Sequence, residues 1–120
     1  MSNVQSLVDR YIAAWNETDR KRRRDLIAET YSEGARYLDP ALSAEGREAI
    51  DGMVAAVHER FPGHLFRQTG DVDAHNDRIR FSWELGPKGG PAIVKGIDFG
   101  VVEAGRLREV TGFFTERAGS

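Results

Sequence analysis

Apolar residues recur at Val4, Leu7, Val8, Tyr11, Ile12 and Trp15, at intervals of three and four that align them along one side of a helix. The spacing predicts a helix beginning near Ser2 or Asn3. Thr18 or Asp19 supplies an N-cap for a second, shorter helix, which carries Leu26 and Ile27 on its apolar side and ends before Gly34. Residues 35–39 read as a short strand closed by Asp39-Pro40, because a residue before proline is pushed out of the helical region. Ala35, Tyr37 and Asp39 then share one face. Ile50, Met53, Val54, Val57 and Phe61 mark a third helix, preceded by a polar stretch over 43–48 and stopped by Pro62-Gly63.

After Gly63 the pattern changes to alternation. Segments 65–74, 79–85, 92–102 and 107–115 are separated by turn-forming residues at 75–77, 86–91 and 104–105, which predicts four strands joined as antiparallel hairpins. All helices precede the meander and must cover one side of it, so the class is α+β, with N-terminal helices packed on a curved antiparallel sheet. A length of 120 residues suits a single domain over 1–120, with one core and one site.

Composition removes several function classes. The chain has no cysteine, which excludes disulfides, thiolate metal sites and cysteine nucleophiles. No apolar run reaches the length of a membrane span and no leader-like segment opens the chain, so a cytoplasmic location without membrane association is expected. The formal net charge of −2 gives no general attraction to nucleic acid. The basic run 20–24 wraps around its helix instead of forming a stripe and has no aromatic platform, so it reads as a solvated face and no nucleic-acid partner is expected. His58, His64 and His75 lack metal-ligand spacing, and the glycines of 86–91 lack the strand-to-helix context of a phosphate loop. Neither metal nor cofactor is expected.

Candidate chemistry emerges from strand parity. Ile79, Phe81, Trp83 and Leu85 share a face that should meet the helices, while Arg78, Arg80, Ser82 and Glu84 take the other. In the next strand Asp98 alternates with Gly96 and Gly100, an acid whose same-face neighbours leave room for a ligand. A lone acid on a strand is commonly solvated or paired with an arginine, Asp-Pro is a common turn pair, and Tyr11 can simply complete a core. Ile97, Phe99 and Val101 occupy the face opposite Asp98, and an exposed apolar row there predicts a homodimer through the outer sheet face.

Taken together, Arg10-Tyr11-Ile12, Tyr31, Leu38-Asp39-Pro40, Gly46-Arg47-Glu48, Gly96-Ile97-Asp98 and Gly105-Arg106-Leu107 give the chain a resemblance to a known group over nearly its whole length. It resembles the ketosteroid isomerase branch of the nuclear-transport-factor-2-like, or SnoaL-like, superfamily. The resemblance implies a cystatin-like/NTF2-like fold, its antiparallel sheet strongly curved into a cone-like barrel. It also implies roles: Asp39 as the base that moves a proton, Tyr11 and a protonated Asp98 as hydrogen-bond donors to a substrate oxyanion, and Tyr31 in the supporting network. One carboxylate then stays ionised and the other neutral, a division set by burial. Trp15, Tyr37, Met53, Val57, Phe81, Trp83 and Phe114 are the expected substrate-binding wall. Val54 stands where the isomerases carry a further network tyrosine.

The expected function is a cofactor-independent proton transfer alpha to the carbonyl of a small, largely apolar molecule. A polyketide-cyclase-like enzyme that needs Asp98 but not Asp39 is the alternative, as is a non-catalytic small-molecule-binding domain. A branch resembling limonene epoxide hydrolase does not fit, since Phe81 and Trp83 occupy its inward polar positions and Gly112 that of its last-strand acid.

Overall fold

The computed structural model describes residues 2–117. Its elements follow in the order α1 (Ser2–Asn16), α2 (Arg20–Thr30), β1 (Tyr31–Leu38), β2 (Ser43–Glu45), α3 (Arg47–Arg60), β3 (His64–His75), β4 (Arg78–Pro87), β5 (Val94–Glu103) and β6 (Arg106–Arg117). The apolar stripe of α1 buries Leu7, Val8, Tyr11, Ala14 and Trp15, and that of α3 buries Ile50, Met53 and Val54. Both stripes belong to one core cluster with Ile79, Phe81, Trp83 and Leu85 of β4.

The second helix has little apolar surface to offer, and polar contacts hold it instead. Asp19 caps it by accepting the Arg22 backbone N–H at 2.9 Å. Arg20, Lys21, Arg22 and Arg24 are exposed, but Arg23 is buried. Its Nε donates to Asp51 of α3 at 2.7 Å, and its guanidinium also donates to the Glu17 carbonyl at 3.1 Å. The basic run therefore contains one structural member, a distinction its composition does not reveal.

Two expectations about the sheet need correction. The strand order is β2-β1-β6-β5-β4-β3, and β1 runs parallel to β6, with Leu38 opposite Thr111. The sheet is thus mixed, not antiparallel throughout. After β2 and α3 the chain re-enters at the far edge with β3 running against β1, and three successive reversals bring β6 back in the direction of β1. The sheet is also open and not strongly curled, so it does not form a cone-like barrel. Closure would require the three-residue β2 to bond to β3 at the opposite edge, and neither pairs with the other.

Smaller differences have local causes. The first strand starts at Tyr31 instead of 35, because Tyr31 already pairs with Leu107 before a bulge resets the register at Arg36. Part of the polar stretch before the third helix forms β2, paired with Arg36, Tyr37 and Leu38. On the outer face Phe99 and Phe113 are exposed and touch edge to face, with ring centroids 5.8 Å apart. Among the described residues no helix is long and apolar enough to cross a membrane.

Removing one partner of a buried ion pair strands the other charge in the core, which costs about 3 kcal/mol or more. Asp51→Ala should lower the urea midpoint accordingly, and the double substitution Arg23→Met with Asp51→Leu should recover most of that loss.

Candidate active site

A cavity of about 400 Å³ opens between α1, the end of α3, the 39–42 turn and the inner face of the sheet. Its walls are mostly aromatic. Tyr11 and Trp15 stand one helical turn apart on α1, with ring centroids 6.5 Å from each other. Trp15 packs on Tyr37 at 5.6 Å and on Phe66 at 5.0 Å, and Phe66 in turn meets Trp83 at 5.5 Å. Trp83 completes the wall against Phe114 at 6.3 Å.

Asp98 lies at the deep end, 3% exposed. The Tyr11 hydroxyl donates to its Oδ2 at 2.6 Å, and the Trp83 indole N–H donates to its Oδ1 at 2.9 Å. Burial disfavours the charged form and pushes the Asp98 pKa up to about 6, with the nearby Asp39 charge adding in the same direction. The two donated hydrogen bonds oppose that rise. Burial, reinforced by the Asp98 charge, raises the Tyr11 hydroxyl well above its ordinary value, so it remains a donor at neutral pH.

Cross-strand register explains how the acid fits. Asp98 stands between Phe81 of β4 and Gly112 of β6, and Gly96 stands between Trp83 and Phe114. A side chain at Gly96 would overlap the Trp83 indole, and one at Gly100 would press on Leu107 and Ile79. The glycines flanking Asp98 therefore make room for packed side chains, not for a ligand as their pattern suggested. The glycine that matters to the carboxylate is Gly112, where a Cβ would come within 2.6 Å of Asp98 Oδ1 and 3.3 Å of the Asp39 Cβ. Gly112 thus lies directly between the two acids.

Asp39 also lines the cavity, half-buried at the end of β1. Its Oδ1 accepts the backbone N–H groups of Ala41 and Leu42 at 2.8 and 2.7 Å, and its Oδ2 accepts the Tyr37 hydroxyl at 2.6 Å. A backbone bond from the Asp39 N–H to the Leu42 carbonyl closes the same turn at 2.8 Å. Asp39 is consequently occupied as the organiser of the 39–42 turn.

Of the residues singled out in the sequence, Tyr11, Trp15, Tyr37, Asp39, Val57, Trp83, Asp98 and Phe114 line this one cavity. Met53, Phe81 and Tyr31 do not. Met53 and Phe81 are packed in the core, with Phe81 edge-on to the Tyr11 ring at 5.3 Å. Tyr31 is buried behind Tyr11, ring centroids 6.0 Å apart, and burial raises its hydroxyl well above its ordinary value, an effect that the nearby Trp15 and Tyr11 donors oppose. Ile12, Ala41, Leu42, Arg60, Phe61, Phe66, Leu85 and Val94 join the lining without having been anticipated. Phe66 had a signal in strand parity, while the donor roles of Trp83 and Tyr37 depend on neighbours that parity cannot reveal. Among the described residues no group of three or more His, Asp or Glu side chains is placed to hold a metal ion.

Comparison with known proteins agrees with this architecture. The family model for the SnoaL-like domain matches residues 8–110. A crystal structure of a proposed isomerase of the SnoaL-like family from Agrobacterium tumefaciens is 36% identical, covering 97% of this chain and 100% of that one, with a TM-score of 0.91. Two more distant structures share the fold. A proposed ketosteroid isomerase from Kribbella flavida is 21% identical over 99% of this chain and 82% of its own, with a TM-score of 0.72. A proposed SnoaL-like polyketide cyclase from Jannaschia is 19% identical over 92% and 86%, with a TM-score of 0.68. No curated protein matches the chain. The family match over most of the sequence and the close structural relative agree, and the chain belongs to the SnoaL-like family.

Proposed function

We propose that this protein is a SnoaL/polyketide-cyclase-like acid–base enzyme, in which Asp98 alone shuttles a proton at a carbon next to a carbonyl of a small, largely apolar substrate. The carrying observation is the unequal holding of the two acids. Asp98 accepts one bond on each oxygen and keeps lone pairs for a substrate proton, whereas Asp39 spends its carboxylate on two backbone N–H groups and Tyr37. A pKa near 6 leaves Asp98 mostly ionised at neutral pH yet basic enough to take a proton, the range in which general bases work best.

In this reading the ionised Asp98 removes the alpha proton and the electron pair moves into the substrate as an enolate. Once protonated, Asp98 holds Tyr11 and Trp83 less strongly, and both donors become available to the enolate oxygen beside them. The enolate carbon then attacks a second carbonyl of the same molecule, and Asp98 returns its proton to the resulting alkoxide. The chemistry draws on these side chains alone, and the cavity of about 400 Å³ sits near the lower end of the roughly 300–1,000 Å³ typical of small-molecule sites.

A ketosteroid-isomerase-like division of labour is the second reading, favoured by the isomerase description of the Agrobacterium tumefaciens relative and by the shared cavity of Asp39 and Asp98. It requires Asp39 to give up its turn bonds and Asp98 to react protonated. The two readings have opposite pH dependence. With Asp98 as base, kcat/KM for α-deuterium exchange into a panel of small diketones should rise as pH passes about 6 and stay level above it. With Asp98 as neutral donor, it should fall through the same interval. Asp98→Asn should cost about 10²- to 10⁴-fold in exchange rate. Asp39→Asn should remain within about ten-fold of the native rate, and a larger loss supports the isomerase reading.

The same carboxyl carries a stability signature. Its pKa is higher folded than unfolded, so the penalty for burying its charge is absent below about 4, grows as pH rises toward 6 and is complete above that. The difference from the ordinary value of 3.8 corresponds to about 3 kcal/mol. Asp98→Asn, freed of that penalty, should gain stability relative to the native chain between pH 4 and pH 7.5 in urea unfolding. A gap that does not widen with pH contradicts the assigned environment.

A further inference from the structure

We propose that the substrate is itself a carboxylate, whose anionic end is received by Arg60 at the rim while its apolar body lies along the aromatic wall toward Asp98. The inference rests on the cavity being a substrate site, as read above, and narrows the class of molecule that enters it.

Among the described residues Arg60 is the single basic side chain in the cavity lining, and it is exposed where Asp98 is buried. The two therefore mark the open and closed ends of one cavity. Among the described residues Arg60 makes no ion pair or hydrogen bond, unlike other arginines that touch the body of the fold. Arg23 is paired with Asp51, Arg67 with Glu84, and Arg47 donates to the carbonyls of Tyr31 and Ala28. The backbone beneath Arg60 is nevertheless well fixed. His58 Nε2 lies 2.8 Å from the Trp15 carbonyl, and the Phe61 N–H closes the helix on the Val57 carbonyl at 2.9 Å. An exposed guanidinium without a partner, carried on a fixed helix end, offers a fork of donors matched to a carboxylate.

Charge inside the cavity sets the direction of entry. Asp39 and Asp98 repel an anionic group from the interior, so the carboxylate stays outside and the apolar end goes in first. The lining near Arg60 suits that end, with Val57 and Phe61 on the same helix end and Ile12 across from them on α1. A carboxylate is favoured over a phosphate because the described lining holds one cation and it stands at a helix C-terminus, whose partial negative charge opposes a dianion. A neutral ketone of the same shape would lack any anchor that fixes which end faces Asp98.

Both tryptophans of the chain, Trp15 and Trp83, line the cavity, so intrinsic fluorescence reports occupancy without turnover. Titration with 4-phenylbutanoate and with its neutral amide, 4-phenylbutanamide, tests the inference. At low salt the acid should bind about five-fold more tightly than the amide, the strength of an exposed ion pair. Arg60→Gln should erase that preference and leave the amide unchanged, and about 0.5 M salt should erase it in the native protein. Asp98→Asn should retain the preference, which separates this inference from the catalytic reading: proton exchange that survives Asp98→Asn while the preference stays intact refutes only the latter. Equal binding of the two probes, a preference that survives Arg60→Gln, or no fluorescence response to either probe overturns the proposal.

Discussion

A carboxylate that is 3% exposed survives in a core only if its oxygens are partnered and its charge is partly relinquished, and the inner half of this protein is arranged around that requirement at Asp98. Tyr11 reaches it from the first helix and Trp83 from the neighbouring strand, each donating to a different oxygen. Both donors are themselves held by rings, Tyr11 by Phe81 and Tyr31, Trp83 by Phe66 and Phe114. Gly96 exists to admit the indole, and Gly112 to admit the carboxylate. The acid thus links helix, sheet and cavity, and its raised pKa is a consequence of the packing that holds it.

The second acid is solved differently. Asp39 lies next to Gly112 on the opposite side from Asp98, yet its oxygens are satisfied by a turn of its own making and by Tyr37. Proximity of two carboxylates could have made them a pair with exchangeable roles. Their different partners leave one with free lone pairs facing the cavity and make the other the anchor of a turn, whose charge nudges the pKa of the first upward. The same asymmetry gives the cavity its polarity, acidic within and basic at the Arg60 rim.

Much of this was legible in the chain. The spacing of Val4 to Trp15 located the first helix, Asp19 was identified as a candidate cap, and alternation after Gly63 gave the four-strand meander to within a few residues. The order of those elements gave α+β, but not the parallel pairing of β1 with β6 or the open edges at β2 and β3, because pairing between distant strands leaves no periodic trace. Tyr11, Asp39 and Asp98 stood out by residue type and resemblance. Their hydrogen-bond directions did not, since the donation from Trp83 to Asp98 depends on the register that sets Gly96 opposite the indole. Arg23 and Arg60 make the same point from the other side: both are helical arginines, yet one is buried against Asp51 and one is open at the rim, a difference set by tertiary position.

The central claim is that Asp98 is a buried carboxylate whose pKa is set by its surroundings to the range where it can exchange a proton. Selective ¹³C labelling of aspartate, with the Asp98 side-chain carboxyl signal assigned by comparison with Asp98→Asn and followed from pH 4 to pH 9, measures this without any substrate. The account predicts a single titration centred near 6. A carboxyl that titrates at or below the ordinary aspartate range near 3.8, or one that stays protonated through pH 9, would contradict it.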